Sequence, residues 1–223
     1  MRFICKTALP PNLSVTLEKA LQLGLSWAEF GDRYRTEKAD LRTFLEKEQN
    51  GLCAYSELSL REYDFHLEHI RPKGKAEYFH LRFEYTNLVA SSPKNSSNLE
   101  KRRDLFGGHK KGEEYDEALF ISPTEPECGR YFQYSPDGDI DPKNGLSELE
   151  RSRAIETIEC LGLQSSGLLR NKRRNIYNAI QAQLPYFLDQ PDALEEMLNS
   201  YFEPDSDGNL KPFQSVVRQI AGK

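Results

Sequence analysis

Glu68 and His69 stand side by side in the run Asp64-Phe65-His66-Leu67-Glu68-His69-Ile70, with Asn87-Leu88 further on and Gly108-His109-Lys110-Lys111-Gly112 beyond. Cutting a phosphodiester asks for groups of this kind. A base must take a proton from water, and a hard cation must stabilise charge on the phosphate and the leaving oxygen. An imidazole with its ordinary pKa near 6.5 is mostly neutral at pH 7 and suits the first task. A carboxylate oxygen suits Mg²⁺ or Mn²⁺ for the second. The run reads as a strand that stops at Arg71-Pro72, because proline cannot donate to a ladder. Neighbours on a regular strand point to opposite faces. Glu68 and His69 can therefore serve one site only where the strand ends or bends, and Pro72-Lys73-Gly74 offers such a break. His66 shares the face of Glu68 and reads as structural, with a supporting or substrate contact as its functional alternative. His80 receives no role.

The surrounding elements divide the chain into three parts. Residues 1–51 read as helical: Leu17, Ala20, Leu21 and Gly24 keep a helical period that Trp27, Phe30 and Tyr34 continue. A second helix from Thr36 carries Leu41, Phe44 and Leu45 on one face and stops at Asn50-Gly51, a sequence suited to a left-handed cap. Residues 52–144 hold all four histidines, short extended runs and dense turns, including a hairpin around Ser135-Pro136-Asp137-Gly138. Residues 145–223 are helical again, opening on the capping box Ser147-x-x-Glu150 with an apolar stripe of Leu149, Ile155, Ile158 and Leu161. A further helix is expected over 192–202. Asp205-x-Asp207-Gly208 imitates a calcium loop, but Val216 stands where the closing glutamate belongs, so it reads as a turn. The fold class is α+β.

The 223 residues carry 30 basic and 35 acidic side chains, a net −5 that excludes a globally basic nucleic-acid coat. The stretch 60–112 nevertheless holds 11 Lys/Arg against 7 Asp/Glu, a local +4. That suits a phosphate-binding cleft, with Arg71, Lys73, Lys75, Lys110 and Lys111 as candidate contacts. Arg170-Asn171-Lys172-Arg173-Arg174 is a second basic cluster, open to solvent, nucleic acid or an acidic partner. Cys5, Cys53, Cys128 and Cys160 form no C-x-x-C pair and read as free thiols. No apolar run approaches the ~20 residues that cross a bilayer, so a soluble, cytoplasmic protein without membrane contact is expected.

The constellation resembles the HNH (ββα-metal, His-Me finger) endonucleases, and the resemblance extends past it. Gly51-Leu-Cys-Ala-Tyr-Ser-Glu57, Glu68-His-Ile-Arg-Pro-Lys73, Asn87-Leu88, Gly108-His-Lys-Lys-Gly112, the block from Ser122 to Gly138 and Ala154-Ile-Glu-Thr-Ile-Glu-Cys-Leu-Gly-Leu163 follow the order of the PtuB-type nucleases of Septu and retron anti-phage systems, over residues 1–180. The resemblance implies a ββα-metal finger between N- and C-terminal helical regions. In it His69 is the general base, Glu68 and His109 ligate one Mg²⁺ or Mn²⁺, and Asn87 braces the loop. Glu68 replaces the commoner aspartate, and Asn95 or Asn98 could take the place of His109. The family's structural zinc is not expected, because Cys53 remains while Ser56, Ser92 and Gly107 stand at the other positions, and one thiolate cannot make a tetrahedral site. A PtuA-like ATPase is the implied partner, joined in retron loci by a reverse transcriptase with its RNA–DNA product. DNA is the implied target, with RNA such as tRNA as the alternative. The rival reading is a degenerate, non-catalytic finger that scaffolds the ATPase.

Overall fold

The structure, a computed structural model, describes residues 1–93, 104–187 and 189–222. Helix α1 (Pro11–Gln22) starts on a proline at its first turn, where the missing N–H costs nothing. Gly24 then turns with φ +65, and α2 (Trp27–Arg33) begins afresh on a capping box: Ser26 Oγ accepts from Glu29 N while Glu29 accepts from Ser26 N. The single helical period expected through Leu17 to Tyr34 is thus two helices, and Leu21 is exposed rather than core. Helix α3 (Arg35–Glu48) ends where Asn50 and Gly51 adopt φ 53 and 71, the left-handed stop that the sequence announces.

After the one-turn α4 (Leu60–Tyr63), β1 (His66–His69) pairs antiparallel with β2 (Leu88–Ser91). The register sets His66 opposite Ser91 and His69 opposite Leu88. The carboxamide of the buried Gln49 works as a short extra rung on β2: its Oε1 accepts from Ala90 N at 2.7 Å, and its Nε2 donates to Ala90 O at 3.0 Å. The next described helix is the single turn α5 (Gly108–Lys111). A second hairpin joins β3 (Phe132–Tyr134) to β4 (Ile140–Pro142). Helices α6 (Glu148–Cys160), α7 (Gly167–Gln181), α8 (Pro191–Asn199) and α9 (Gln214–Ile220) follow.

Both bonds of the Ser147–Glu150 capping box are present at the start of α6. Its buried face, however, is Ala154, Thr157, Ile158 and Cys160; Leu149 and Ile155, expected in the apolar stripe, are exposed. Thr157 is buried because its Oγ1 accepts from Ile121 N at 2.8 Å, a tertiary bond that turns the helix relative to its apolar period. Asp205 closes the turn read from Asp205-x-Asp207-Gly208, with its backbone N–H on Asn209 O. One apolar core draws on all three parts of the chain, from Leu13 and Leu45 through Tyr55, Phe65 and Phe106 to Leu161 and Val216. The architecture mixes helices with two small sheets, an α+β fold compatible with an HNH nuclease.

Candidate functional site

Strand β1 carries His66 and Glu68 on one face by its pleat, and α5 packs its first residue against them. A Cβ on Gly108 would lie 2.6 Å from the carboxyl carbon of Glu68 and 2.8 Å from His66 Nε2, so any larger residue there must displace those two side chains. The preceding Gly107, with φ 62, donates its N–H to Leu161 O and starts the turn. Gly108 N donates to Ser91 Oγ at 3.1 Å, fixing α5 to β2 as well. The His109 ring then lies tilted against that of His66, centroids 4.5 Å apart and planes at 41°.

Three polar side chains therefore meet: Glu68, His66 and His109. His66 Nδ1 lies 2.9 Å from Pro93 O, which can only accept, so Nδ1 carries a proton and Nε2 is the nitrogen left to face the carboxylate. Nε2 faces Glu68 Oε2 at 3.4 Å. Two acceptors face each other this closely only with a proton or a metal ion between them. The other carboxylate oxygen, Oε1, has Lys111 Nζ at 3.0 Å, an ion-pair distance without the angle of a directed hydrogen bond. Burial alone would raise the pKa of Glu68, but His66 and Lys111 outweigh it and hold the carboxyl below its ordinary value. Among the described residues no set of three His, Cys, Asp or Glu side chains is already arranged as a metal cage. In kind, the carboxylate oxygen of Glu68 suits a hard divalent cation, while the neighbouring imidazoles would serve as its nitrogen ligands.

His69, the last residue of β1, stays in register opposite Leu88, so the strand does not bend between it and Glu68. Of the two conditions read from the sequence, the strand ends at His69 rather than bending there. The His69 ring instead packs edge-on against Trp27, centroids 4.6 Å apart, and is 2% exposed. Its Nε2 donates to Arg82 O at 3.0 Å. That assignment leaves the lone pair on Nδ1, which is buried and has no hydrogen-bond partner. Burial first, then the charge of Lys73, pushes the ring's pKa down to about 4. Glu68 and Lys111 also act on it electrostatically.

Asn87, fully buried, closes the loop between the strands. Its Oδ1 accepts from Arg71 N at 2.7 Å, and its Nδ2 donates to Arg71 O and Leu81 O, each at 3.1 Å. Asn95 and Asn98, the alternatives to His109, lie outside the described residues.

The expected phosphate contacts separate. Lys111 is 1% exposed and turned onto Glu68, which corrects its reading as a phosphate contact: the packing of Gly108 on β1 faces it inward, where His69 O and Gly112 O accept from its ammonium. Arg71 is half-buried and engaged by Glu117 at 2.7 Å, and Lys75 donates to Tyr115 O. Lys73 is half-buried and Lys110 is exposed. The second basic cluster is divided: Arg173 is buried, while Arg170 and Arg174 are exposed. Arg170 pairs with Asp139 and Lys172 with Glu62, while the buried Arg173 donates to Gly138 O and Leu163 O.

Ser92 N donates to Cys53 Sγ at 3.3 Å, and Gly107 packs on Ser92 O. Three of the four positions where the family would carry zinc thiolates thus adjoin one another, with one sulfur among them. His66 is the site residue that sequence reasoning undervalued. Its signal was the two-residue spacing from Glu68 on a strand.

No family model matches the chain. A protein of Vibrio cholerae serotype O1 biovar El Tor, named "Retron Vc95 putative HNH endonuclease", is 32% identical over 144 residues. The match covers 64% of this chain and 66% of that protein, just under two thirds of its length. The similarity supports a nuclease enzyme of the HNH kind in a retron setting. Among the described residues no helix is long and apolar enough to cross a membrane.

Proposed function

We propose that the chain is an HNH endonuclease of the PtuB type that hydrolyses phosphodiester bonds in nucleic acid, using one divalent cation, within a retron or Septu defence complex. The observation that carries this reading is the state of His69. A buried nitrogen lone pair without a partner costs about 1–3 kcal/mol, and an orphan of this kind in a folded core calls for a role. With Nε2 committed to Arg82 O and the ring's pKa held near 4, the ring is neutral at pH 7 and Nδ1 keeps a lone pair that would take a proton from a water brought in with the substrate. Asn87 would hold the loop so that Arg82 O keeps that tautomer.

Glu68 and His109, joined by His66, would hold Mg²⁺ or Mn²⁺. The bound ion would supply Lewis-acid stabilisation of the developing phosphate charge. Lys73 and Lys110 are the better placed cations for phosphate, with Arg71 and Lys75 next. A net charge of −5 gives little general affinity for polyanions. That favours a partner that delivers the target, in this reading a PtuA-like ATPase and, in a retron, a reverse transcriptase with its RNA–DNA product. The location would be cytoplasmic.

A second reading, a non-catalytic finger serving as a scaffold, is favoured by one observation: His69 lies beneath Trp27, and Glu68 already has an ammonium beside it. Incubation of the chain, alone and with the ATPase, with plasmid DNA and with total RNA decides between them. Cleavage that requires Mg²⁺ or Mn²⁺ and disappears in His69→Ala supports the nuclease, and the substrate cut identifies DNA or RNA. No cleavage of either by the assembled complex, with intact fold and no metal binding, leaves the scaffold.

A further inference from the structure

Lys111 closes α5 between two glycines of positive φ, Gly107 at 62 and Gly112 at 53, and its side chain runs inward. An ammonium has three protons. Two of them go to main-chain oxygens, His69 O at 3.1 Å and Gly112 O at 3.4 Å. The charge itself is balanced by Glu68 Oε1 at 3.0 Å. Lysine is almost never buried this fully without a carboxylate, and Glu68 is the one within ion-pair distance among the described residues. The same carboxylate turns its other oxygen toward His66 Nε2. A cation bound between Glu68 and His66 would therefore lie one carboxylate's width from a buried positive charge. Like charges that close, with little water between them, repel strongly.

We infer that Lys111 is an internal counter-cation that competes with the divalent ion for Glu68. Without metal it keeps the carboxylate ionised and aimed, and it ties that carboxylate to the backbone of His69. With metal it opposes binding, so the site loads weakly. Lys111 is thus a positioning residue that sets metal affinity. This inference rests on the reading of Glu68 as a metal ligand.

The test is Mn²⁺ titration of the purified full-length chain, followed by electron paramagnetic resonance of the free ion. Lys111→Met should bind Mn²⁺ at least about tenfold more tightly than the wild type, Lys111→Arg should bind as the wild type does, and Glu68→Gln should not bind. A purely structural lysine would give the opposite sign, since its loss loosens the ligands. A folded Lys111→Met that binds equally or more weakly overturns the inference while leaving the metal site standing. A wild-type chain that binds no Mn²⁺ overturns the reading of Glu68 itself. Should Lys111→Met fail to fold, the wild type still decides. Saturation with diamagnetic Mg²⁺ should shift the Lys111 Nζ resonance, and an unmoved resonance in the metal-bound protein overturns the competition.

Discussion

Two buried carboxylates flank the same small sheet, and they are satisfied very differently. Glu48, at the end of α3, accepts from Lys6 Nζ at 2.9 Å, Thr7 N at 2.8 Å, Thr7 Oγ1 at 3.1 Å and the Tyr85 hydroxyl. Both of its oxygens have directed donors, and Lys6 goes on to Leu88 O on β2. Glu68 has a neighbouring ammonium without a directed bond, an imidazole nitrogen at 3.4 Å, and a glycine packed against it. Burial would raise the pKa of either group, and in each case the partners reverse it. A carboxylate that serves the fold is surrounded until nothing is left to bind. The one at the candidate site keeps capacity in reserve, and so does the neighbouring His69.

This contrast can be broken at several points. The largest expected effect is chemical. His69→Ala should lower metal-dependent cleavage by about 10²–10⁴-fold, the usual range for a general base, with circular dichroism unchanged. Glu48→Gln should leave the cleavage rate below its melting temperature untouched. Equal losses in both variants would erase the distinction.

Next comes pH. His69 titrates near 4 when folded and near its ordinary 6.5 when unfolded. Between those values the unfolded chain binds a proton that the folded chain refuses, so stability falls as pH drops from about 6.5 to 4. The loss is on the order of 3 kcal/mol. Urea midpoints across that window should show it in the wild type and not in His69→Ala. Glu48, depressed in the folded state, acts lower. Its contribution is complete above the ordinary carboxylate pKa and disappears as the pH falls through the folded value. An acid transition confined to that lower range would remove the case for a neutral, buried His69.

Gly108→Ala should displace the Glu68 carboxylate and His66, weakening Mn²⁺ binding about 10–100-fold, as expected for disturbed ligand support. Calorimetric titration measures this directly, and unchanged affinity would show that the cradle is not needed. The smallest effect is Glu48→Gln on stability, about 1–2 kcal/mol in urea denaturation, the worth of charged hydrogen bonds exchanged for neutral ones.

Signals confined to a few neighbouring residues were legible. The Ser147–Glu150 box, the Asn50-Gly51 stop and the hairpin through Gly138 each need only a few neighbouring residues, and each is present. Glu68 and His109 each adjoin His66, and their pairing as metal ligands is what the family likeness implies. What could not be read depends on distant parts of the chain. Lys111 looks like one of a solvated pair beside Lys110, and only the packing of Gly108 onto β1 turns it inward. Leu149 is apolar and exposed because the bond from Ile121 to Thr157 decides which side of α6 faces the core. His69 lies against Trp27, a residue whose helix restarts after Gly24 where the apolar period runs on unbroken.

The rung that Gln49 adds to β2 reaches beyond stability. A carboxamide that grips both the donor and the acceptor of Ala90 will not accept the strand shifted by one residue, because the next backbone pair points the other way. The alignment of β2 against β1, and with it which side chains look toward α5, is therefore gauged from outside the sheet. An unfolded tether at α3 would cost the chain its ruler before it cost the strands their pairing.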